Sequence, residues 1–246
     1  MEGAFFIFGG VMERLEYQEQ IKALSKISKA IASDLYLEDV LRLVVTVTAE
    51  MMFSNICSIL LLDEKTGKLL IRATQSVSSE YNDKPPLELG EGIAGKVAQT
   101  NQHVVVPDVK AEKEYKYRSI AKKEGLCSLL CVPLAVKGKV IGVLNCYTSQ
   151  PHEFSETEIN MLTSVAAQAA VAIENAELMV KSKVIQEELE SRKRVERAKG
   201  LLMRKERLTE EEAYLKLKKF SMDRRKSMRE VAEAIIMVEE INREIT

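Results

Sequence analysis

The chain has 246 residues, of which 46% are hydrophobic and 30% are charged, a globular composition that excludes a disordered chain and a membrane protein. Its length suits one large domain or two smaller ones. The net charge is only −1, but of the 36 Lys or Arg and 37 Asp or Glu, 16 and 11 lie between Ser191 and the end. A basic segment at the end of an acidic chain is typical of nucleic-acid binding.

Four cysteines lie in or beside apolar runs, and none has the CxxC spacing of a redox or zinc motif. Buried cysteine behaves as a small hydrophobic residue, so the pattern predicts free thiols in a reducing cytosol. A redox or metal-sensing role stays open as an alternative if Cys127, Cys131 and Cys146 share one surface of a strand. The cysteines are Cys57, Cys127, Cys131 and Cys146.

The two histidines, His103 and His152, have no partner at ligand spacing, so no metal site is expected. Neither belongs to a recognisable pattern of nucleophile, base and orienting carboxylate, which predicts a protein without enzymatic activity. The sequence indicates no particular cofactor. No apolar run reaches the length of about 18 residues that a membrane helix needs, which predicts a cytoplasmic protein without a membrane partner.

The first two thirds of the chain alternate between helix and strand patterns. Residues 1–15 are interpreted as an N-terminal extension, and helices are predicted over 12–33, 37–52, 93–100 and 118–123. Strands are predicted at 56–62, 68–74, 104–106, 127–136 and 140–147. This order of elements predicts an α+β fold with one antiparallel sheet flanked by helices.

A long helix is predicted to begin at Ser155, and it contains no Gly or Pro before Gly200. Its length and its thin apolar stripe favour a two-stranded coiled coil and therefore a homodimer. The alternative is that this helix packs on the sheet of its own chain and that a separate helix follows. The stripe consists of Ala166, Ala169, Ile173, Ala176, Val180 and Val184.

Strand signals end at Lys193, and three helices are predicted beyond it, at residues 192–205, 209–221 and 227–241. Helix starts are marked by capping boxes, in which Ser or Thr is followed three residues later by Glu. The boxes are Ser155 with Glu158, Thr209 with Glu212, and Ser227 with Glu230.

Residues 16–178 resemble a GAF domain, a family of sensory domains. The resemblance rests on LELGEGIAG at 87–95, VVVPDV at 104–109, SLLCVPL at 128–134 and GVLNC at 142–146, which occur in the expected order. It implies a central antiparallel sheet with a small-molecule pocket on one face and dimerising helices on the other. The three glycines of the first motif fit this reading, because glycine permits sharp turns and close backbone approach.

Residues 192–246 resemble an ANTAR domain, and residues 179–191 are interpreted as a helical coiled-coil linker. The resemblance rests on VERAKGLLM at 195–203 and on the segment from Thr209 to Ile236. It implies a three-helix RNA-binding module that acts in transcription antitermination and recognises paired small hairpins in nascent leader transcripts.

The residues themselves suggest how such a module would bind RNA. Basic side chains crowd the first of the three helices and precede the third, and each phosphate that they neutralise releases counterions. Ala198 and Gly200 let RNA approach the backbone or let helices pack, and Tyr214 offers a surface on which an unpaired base can stack. The predicted RNA-binding residues are Arg194, Arg197, Ala198, Lys199, Gly200, Tyr214, Lys218, Arg224, Arg225 and Lys226.

Two less specific interpretations remain open. A charged helix face is usually just solvated, and Tyr214 alone would also fit a core position. A dimeric signalling adaptor that binds another protein is therefore the alternative to an RNA-binding regulator whose GAF pocket senses a small molecule.

Overall fold

A computed structural model of the chain describes residues 37–76 and 78–245, together with the single residue Ser25. The predicted N-terminal extension and the helix predicted over 12–33 lie outside the described residues. The chain divides into two compact units, with the border between Glu177 and Leu178. Each unit has a hydrophobic core of its own.

The first unit is built on one six-stranded sheet in the order β3-β2-β1-β6-β5-β4, and all its neighbouring strands are antiparallel. The predicted α+β fold with one antiparallel sheet is confirmed. The central strand β1 is a continuous apolar run because both of its faces are covered. The strands are β1 (Ile56–Leu62), β2 (Lys68–Thr74), β3 (Leu87–Glu88), β4 (Val104–Val106), β5 (Leu129–Val136) and β6 (Lys139–Tyr147).

Seven helices lie within the described residues, and the predicted helices after residue 36 are all present. They are α1 (Leu37–Met52), α2 (Ser79–Asn82), α3 (Gly92–Thr100), α4 (Arg118–Lys123), α5 (Glu156–Glu206), α6 (Glu210–Arg224) and α7 (Met228–Ile245). The helix predicted over 192–205 is not a separate element, because Gly200 does not interrupt α5. A single glycine costs a helix only about 1 kcal/mol, which tertiary packing easily offsets.

The sheet of the first unit has a hydrophobic core on each face. On one face, α1 and the first part of α5 pack against alternate residues of β1, β5 and β6. The other face is covered by α3 and by the segments around Tyr81 and Tyr115. The four cysteines are free and buried, as the sequence predicts. Cys131 and Cys146 lie in different cores, so a thiol cluster on one strand surface is wrong for this pair.

The coiled coil predicted from the apolar stripe of α5 is corrected by the structure. Ala166, Ala169, Ile173 and Ala176 are buried in the core of the first unit. These four residues pack on the sheet of their own chain, as the alternative interpretation had it, and they cannot form a dimer seam. Val180 and Val184 are about half exposed, at 49% and 50%. For these two the dimer contact stays a prediction.

The second unit packs the end of α5 against α6 and α7. All three predicted capping boxes are present. In each box, the side-chain oxygen of the Ser or Thr accepts a hydrogen bond from the backbone N–H of the Glu. The Glu carboxylate in turn accepts one from the backbone N–H of the Ser or Thr. The core of this unit consists of Ala198, Leu201, Leu202, Ala213, Leu217, Ala232 and Ile236.

The glycines of residues 90–95 have the role that the sequence predicts. Gly90 and Gly92 have φ angles of +82° and +63°, which side chains disfavour. A Cβ atom at Gly95 would lie 2.3 Å from the carbonyl oxygen of Glu88. The start of α3 therefore passes so close to β3 that only glycine fits.

We expect Gly95→Ala to destabilise the first unit by about 1–3 kcal/mol, because the added methyl group would push α3 away from backbone that cannot yield. Denaturant unfolding of the purified chain measures this. The control is Lys96→Ala on the same helix, which removes only an exposed ion pair to Glu114. Equal stability of the two variants would contradict the close approach.

Candidate nucleic-acid interface

The last turns of α5 have one buried and one open face. Ala198, Leu201 and Leu202 point into the core of the second unit. Helical periodicity places Lys193, Arg197, Gly200 and Arg204 together on a second face, at steps of four, three and four residues. A Cβ atom at Gly200 would meet nothing within 4 Å. This open strip, called here the cationic face of α5, therefore exposes helix backbone between positive side chains.

The outward face of α6 combines an aromatic ring with a cation. Ala213 and Leu217 are buried, which directs the residues between them to the surface. Tyr214, Lys218 and Met222 follow one another at steps of four on the exposed side, and Tyr214 and Met222 are 47% and 69% exposed. These three residues form the aromatic face of α6.

A basic turn follows α6. Arg225 ends the helix in a left-handed conformation with φ of +52°, and its backbone N–H donates to the carbonyl oxygens of Ser221 and Met222. Arg224 and Arg225 are exposed, and within the described residues neither forms an ion pair. Lys226 is already paired, with Nζ 2.8 Å from a carboxylate oxygen of Glu230.

Besides Lys226, three more of the predicted RNA-binding cations are held by carboxylates of the same unit. Arg194 pairs with Glu233, and Arg197 lies 2.8 Å from Glu240. Lys199, whose side chain is only 10% exposed, lies 2.6 Å from Glu196 and 2.7 Å from Glu210. Hydrogen bonds to these two carboxylates raise the pKa of Lys199. An RNA phosphate would have to compete with a carboxylate for each of these side chains.

The free cations of the second unit differ in part from the predicted set. Lys218, Arg224 and Arg225 were predicted, whereas Lys193 and Arg204 were not chosen. Their helical spacing from Gly200 could have indicated that they share a face with it, but only once the buried face of α5 is known. Among the described residues of this unit, the exposed cations without an ion pair are Lys183, Arg192, Lys193, Arg204, Arg207, Lys218, Lys219, Arg224 and Arg225.

Ala198 and Tyr214 lie in opposite surroundings. Ala198 is fully buried between helices, so of its two predicted roles the packing role fits the structure. Tyr214 is not a core residue, because nearly half of its surface is exposed.

The first unit contains a cavity of about 30 Å³ on the sheet face opposite α1. Four tyrosine rings, the side chain of Lys84 and the amide of Asn145 contribute to its wall. Elsewhere, the described residues hold no group of three or more His, Cys, Asp or Glu side chains arranged to bind a metal ion. Nor does any helix in the described ranges have the length and apolarity to cross a membrane.

Comparison with known families assigns both units. The GAF domain family matches residues 35–174, and the ANTAR domain family matches residues 183–236. The chain belongs to the GAF family and ends in an ANTAR domain. Both domains are regulatory rather than catalytic, so this GAF–ANTAR chain has the architecture of a regulator, as its sequence predicts.

Two curated relatives each resemble one part of the GAF–ANTAR chain. A methyl sulfide methyltransferase-associated sensor of Methanosarcina acetivorans is 27% identical over 172 residues, which are 68% of this chain and 17% of that protein. The transcriptional regulatory protein PdtaR of Mycobacterium tuberculosis is 48% identical over 52 residues, which are 21% of this chain and 25% of that protein. The chain thus spans a quarter or less of the length of either relative.

Solved structures of GAF domains resemble the first unit. The GAF domain of a phosphoenolpyruvate-protein phosphotransferase from Coxiella burnetii has a TM-score of 0.60 and 26% identity, over 67% of this chain and 98% of that one. Its counterpart from Acinetobacter has a TM-score of 0.55 and 30% identity, over 65% and 95%. These matches agree with the antiparallel sheet described above.

We expect Ala198→Leu to destabilise the ANTAR domain by about 1–3 kcal/mol, because the larger side chain overfills a closed core. The matched control is Ala234→Leu on α7, which is exposed and should change stability by no more than about 0.5 kcal/mol. Thermal unfolding of both variants measures the difference. If Ala198→Leu were as stable as the control, Ala198 would not be a packing residue.

Proposed function

We propose that this protein is a signal-responsive RNA-binding regulator of transcription antitermination. Its GAF domain senses a small ligand, and its ANTAR domain binds paired RNA hairpins in nascent leader transcripts. The single observation that best supports RNA binding is the cationic face of α5, where unpaired Lys193 and Arg204 flank the open backbone at Gly200.

Phosphate binding at the cationic face of α5 has a simple electrostatic basis. Lys193 and Arg204 have no carboxylate partner within the described residues, so binding a phosphate would break no ion pair there. Arg197 lies between them on this face but is held by Glu240 at 2.8 Å. We therefore assign the first contacts to Lys193 and Arg204, and we expect Arg197 to join them only by leaving Glu240.

The aromatic face of α6 suits an unpaired loop base. RNA is read in sequence-specific complexes mainly through unstacked bases that stack on aromatic rings. Tyr214 presents an exposed ring one helical turn from the ammonium of Lys218, which no carboxylate neutralises among the described residues. A hairpin loop could place a base on the ring and its phosphate near Lys218.

Binding of two hairpins would require two ANTAR domains, so the proposal includes a homodimer. Support comes from the middle of α5, where six apolar side chains are about half exposed or more in the described structure. They are Leu178, Met179, Val180, Val184, Ile185 and Leu189. Parallel association along this segment would bury them as a coiled coil does.

A protein-binding adaptor is the second candidate, and a specific observation favours it. The outward face of α7 is apolar, with Met237, Val238 and Ile241 all about half exposed or more. An electrophoretic shift with a two-hairpin leader RNA separates the candidates. Tight binding that resists competitor RNA supports the regulator, and no shift at micromolar protein supports the adaptor.

We expect the triple variant Lys193→Gln, Arg204→Gln and Lys218→Gln to bind a two-hairpin RNA more weakly. The slope of log affinity against log salt concentration should become shallower by about 0.7–0.9 for each phosphate contact that is lost. Filter binding at several salt concentrations measures both quantities.

The control for this variant makes the same change of charge in the GAF domain. It replaces Lys65, Lys113 and Lys122 with Gln, three exposed lysines that have no ion pair among the described residues. This control should retain the salt slope of the unmodified protein. Equal slopes for both triple variants would exclude these ANTAR cations from the RNA contact.

We expect Gly200→Ala to separate stability from RNA binding. Alanine is the better helix former by about 1 kcal/mol, and its methyl group has room at this site, so the thermal stability of the ANTAR domain should rise. RNA affinity should fall, because the methyl group occupies the open backbone between Arg197 and Arg204. A variant that binds RNA as tightly as the unmodified protein would show that RNA does not approach this backbone.

A further inference from the structure

The GAF cavity contains a buried acceptor without a donor. Asn145 is only 3% exposed and lines the cavity. Its Nδ2 donates to the hydroxyl oxygen of Ser58 at 3.4 Å, whereas its Oδ1 has no hydrogen-bond partner in the described structure. An acceptor that is buried without a donor is unfavourable, which makes this oxygen a natural site for a ligand N–H or O–H group.

The same cavity contains a cation without a counter-ion. Lys84 reaches over the tyrosine rings, with Nζ 3.3 Å from the ring centre of Tyr81 and 5.3 Å from that of Tyr117. No carboxylate among the described residues forms an ion pair with it. Burial lowers the pKa of this amine to about 7, although the more distant charge of Glu124 opposes the change.

The tyrosine hydroxyl groups in the wall are already engaged. Tyr81 shares a hydrogen bond of 3.0 Å with Ser58, and Tyr115 shares one of 3.2 Å with Tyr147. Tyr117 donates to the carbonyl oxygen of Pro85. The polar groups left for a ligand are therefore the Lys84 amine and the Asn145 amide oxygen.

The charges of the side chains that line the cavity favour a negatively charged ligand. Two lysines, Lys84 and Lys116, line the cavity, and no Asp or Glu does. Lys116 is paired with Glu91, which leaves Lys84 as the cation to be neutralised. The volume of about 30 Å³ holds only one or two groups the size of a water molecule, so the ligand must be small or must displace the Lys84 side chain from the rings.

We propose that the GAF cavity binds a small carboxylate that bears a hydrogen-bond donor, with the carboxylate paired to Lys84 and the donor to Asn145 Oδ1. This inference rests on the sensory role proposed for the GAF domain, and it names the chemical class of the signal. Binding would move the ammonium from the face of Tyr81 to the ligand and would satisfy the amide oxygen at the same time.

Isothermal titration of the full chain at pH 6.5 tests the proposal with three related probes. Glycolate has both the carboxylate and the donor, acetate lacks the donor, and glycolamide lacks the charge. We expect glycolate to bind at least about tenfold more tightly than acetate. Glycolate makes one more buried hydrogen bond, and a gain of about 1.4 kcal/mol from that bond corresponds to a factor of ten in affinity. Glycolamide should not bind measurably.

A matched pair of lysine variants locates the site. Lys84→Met should abolish glycolate binding, whereas Lys116→Met, which removes the paired lysine of the same cavity, should retain it. Affinity for glycolate should also fall as the pH rises above about 7, because the free amine then has to take up a proton before it can pair with the carboxylate. Binding that is independent of pH would contradict the role of Lys84.

Two outcomes would overturn the proposal. One is that none of the probes binds, or that glycolate binds Lys84→Met as tightly as it binds the unmodified chain. The other is that tetramethylammonium raises the melting temperature of Lys84→Met, since the tyrosines would then form a cage for a cation that Lys84 merely imitates. RNA binding by Lys84→Met without ligand should equal that of the unmodified chain, so failure here is distinguishable from failure of the RNA proposal.

Discussion

One helix, α5, contributes buried side chains to a hydrophobic core of each domain. Residues of α5 such as Leu162 and Ile173 are fully buried against the sheet of the GAF domain, and Ala198, Leu201 and Leu202 of the same helix are buried in the ANTAR domain. The helix itself is held at its start by the capping box of Ser155. Each domain therefore needs side chains of α5 to complete a core.

The ANTAR domain divides its cations between two uses. Some neutralise carboxylates on neighbouring helices, as Lys199 of α5 does with Glu210 of α6 and Arg197 of α5 with Glu240 of α7. Others, such as Arg204 and Arg225, have no partner within the described residues and remain available to a polyanion. Net charge conceals this division, because a paired and an unpaired cation count equally. The surface that we propose for RNA is therefore defined by the cations that the fold leaves unpaired.

In the GAF cavity, too, most polar groups are paired within the domain and a few are left without a partner among the described residues. Its tyrosine hydroxyl groups form hydrogen bonds with one another, with Ser58 and with the carbonyl oxygen of Pro85, so most of its polar groups are satisfied. Lys84 and Asn145 are the exceptions, since one lacks a counter-ion and the other a donor in the described structure. Unsatisfied groups are unfavourable in a folded protein unless something else completes them, and this is why we assign them to a ligand.

The sequence by itself determined most of the secondary structure of the described residues, the α+β fold, both domain families and the three capped helix starts, because these follow from periodicity and from contacts within one turn. The short elements α2 and β3 were not predicted. Only the tertiary structure decided that Ala166 to Ala176 pack on their own sheet, that Ala198 is a core residue, and which cations are free. Periodicity identifies the apolar side of a helix, but it does not tell whether the sheet of the same chain or a second chain covers that side. Likewise, a basic residue is free or paired according to carboxylates such as Glu233 and Glu240, which lie about forty residues away in sequence and meet it only when the helices pack.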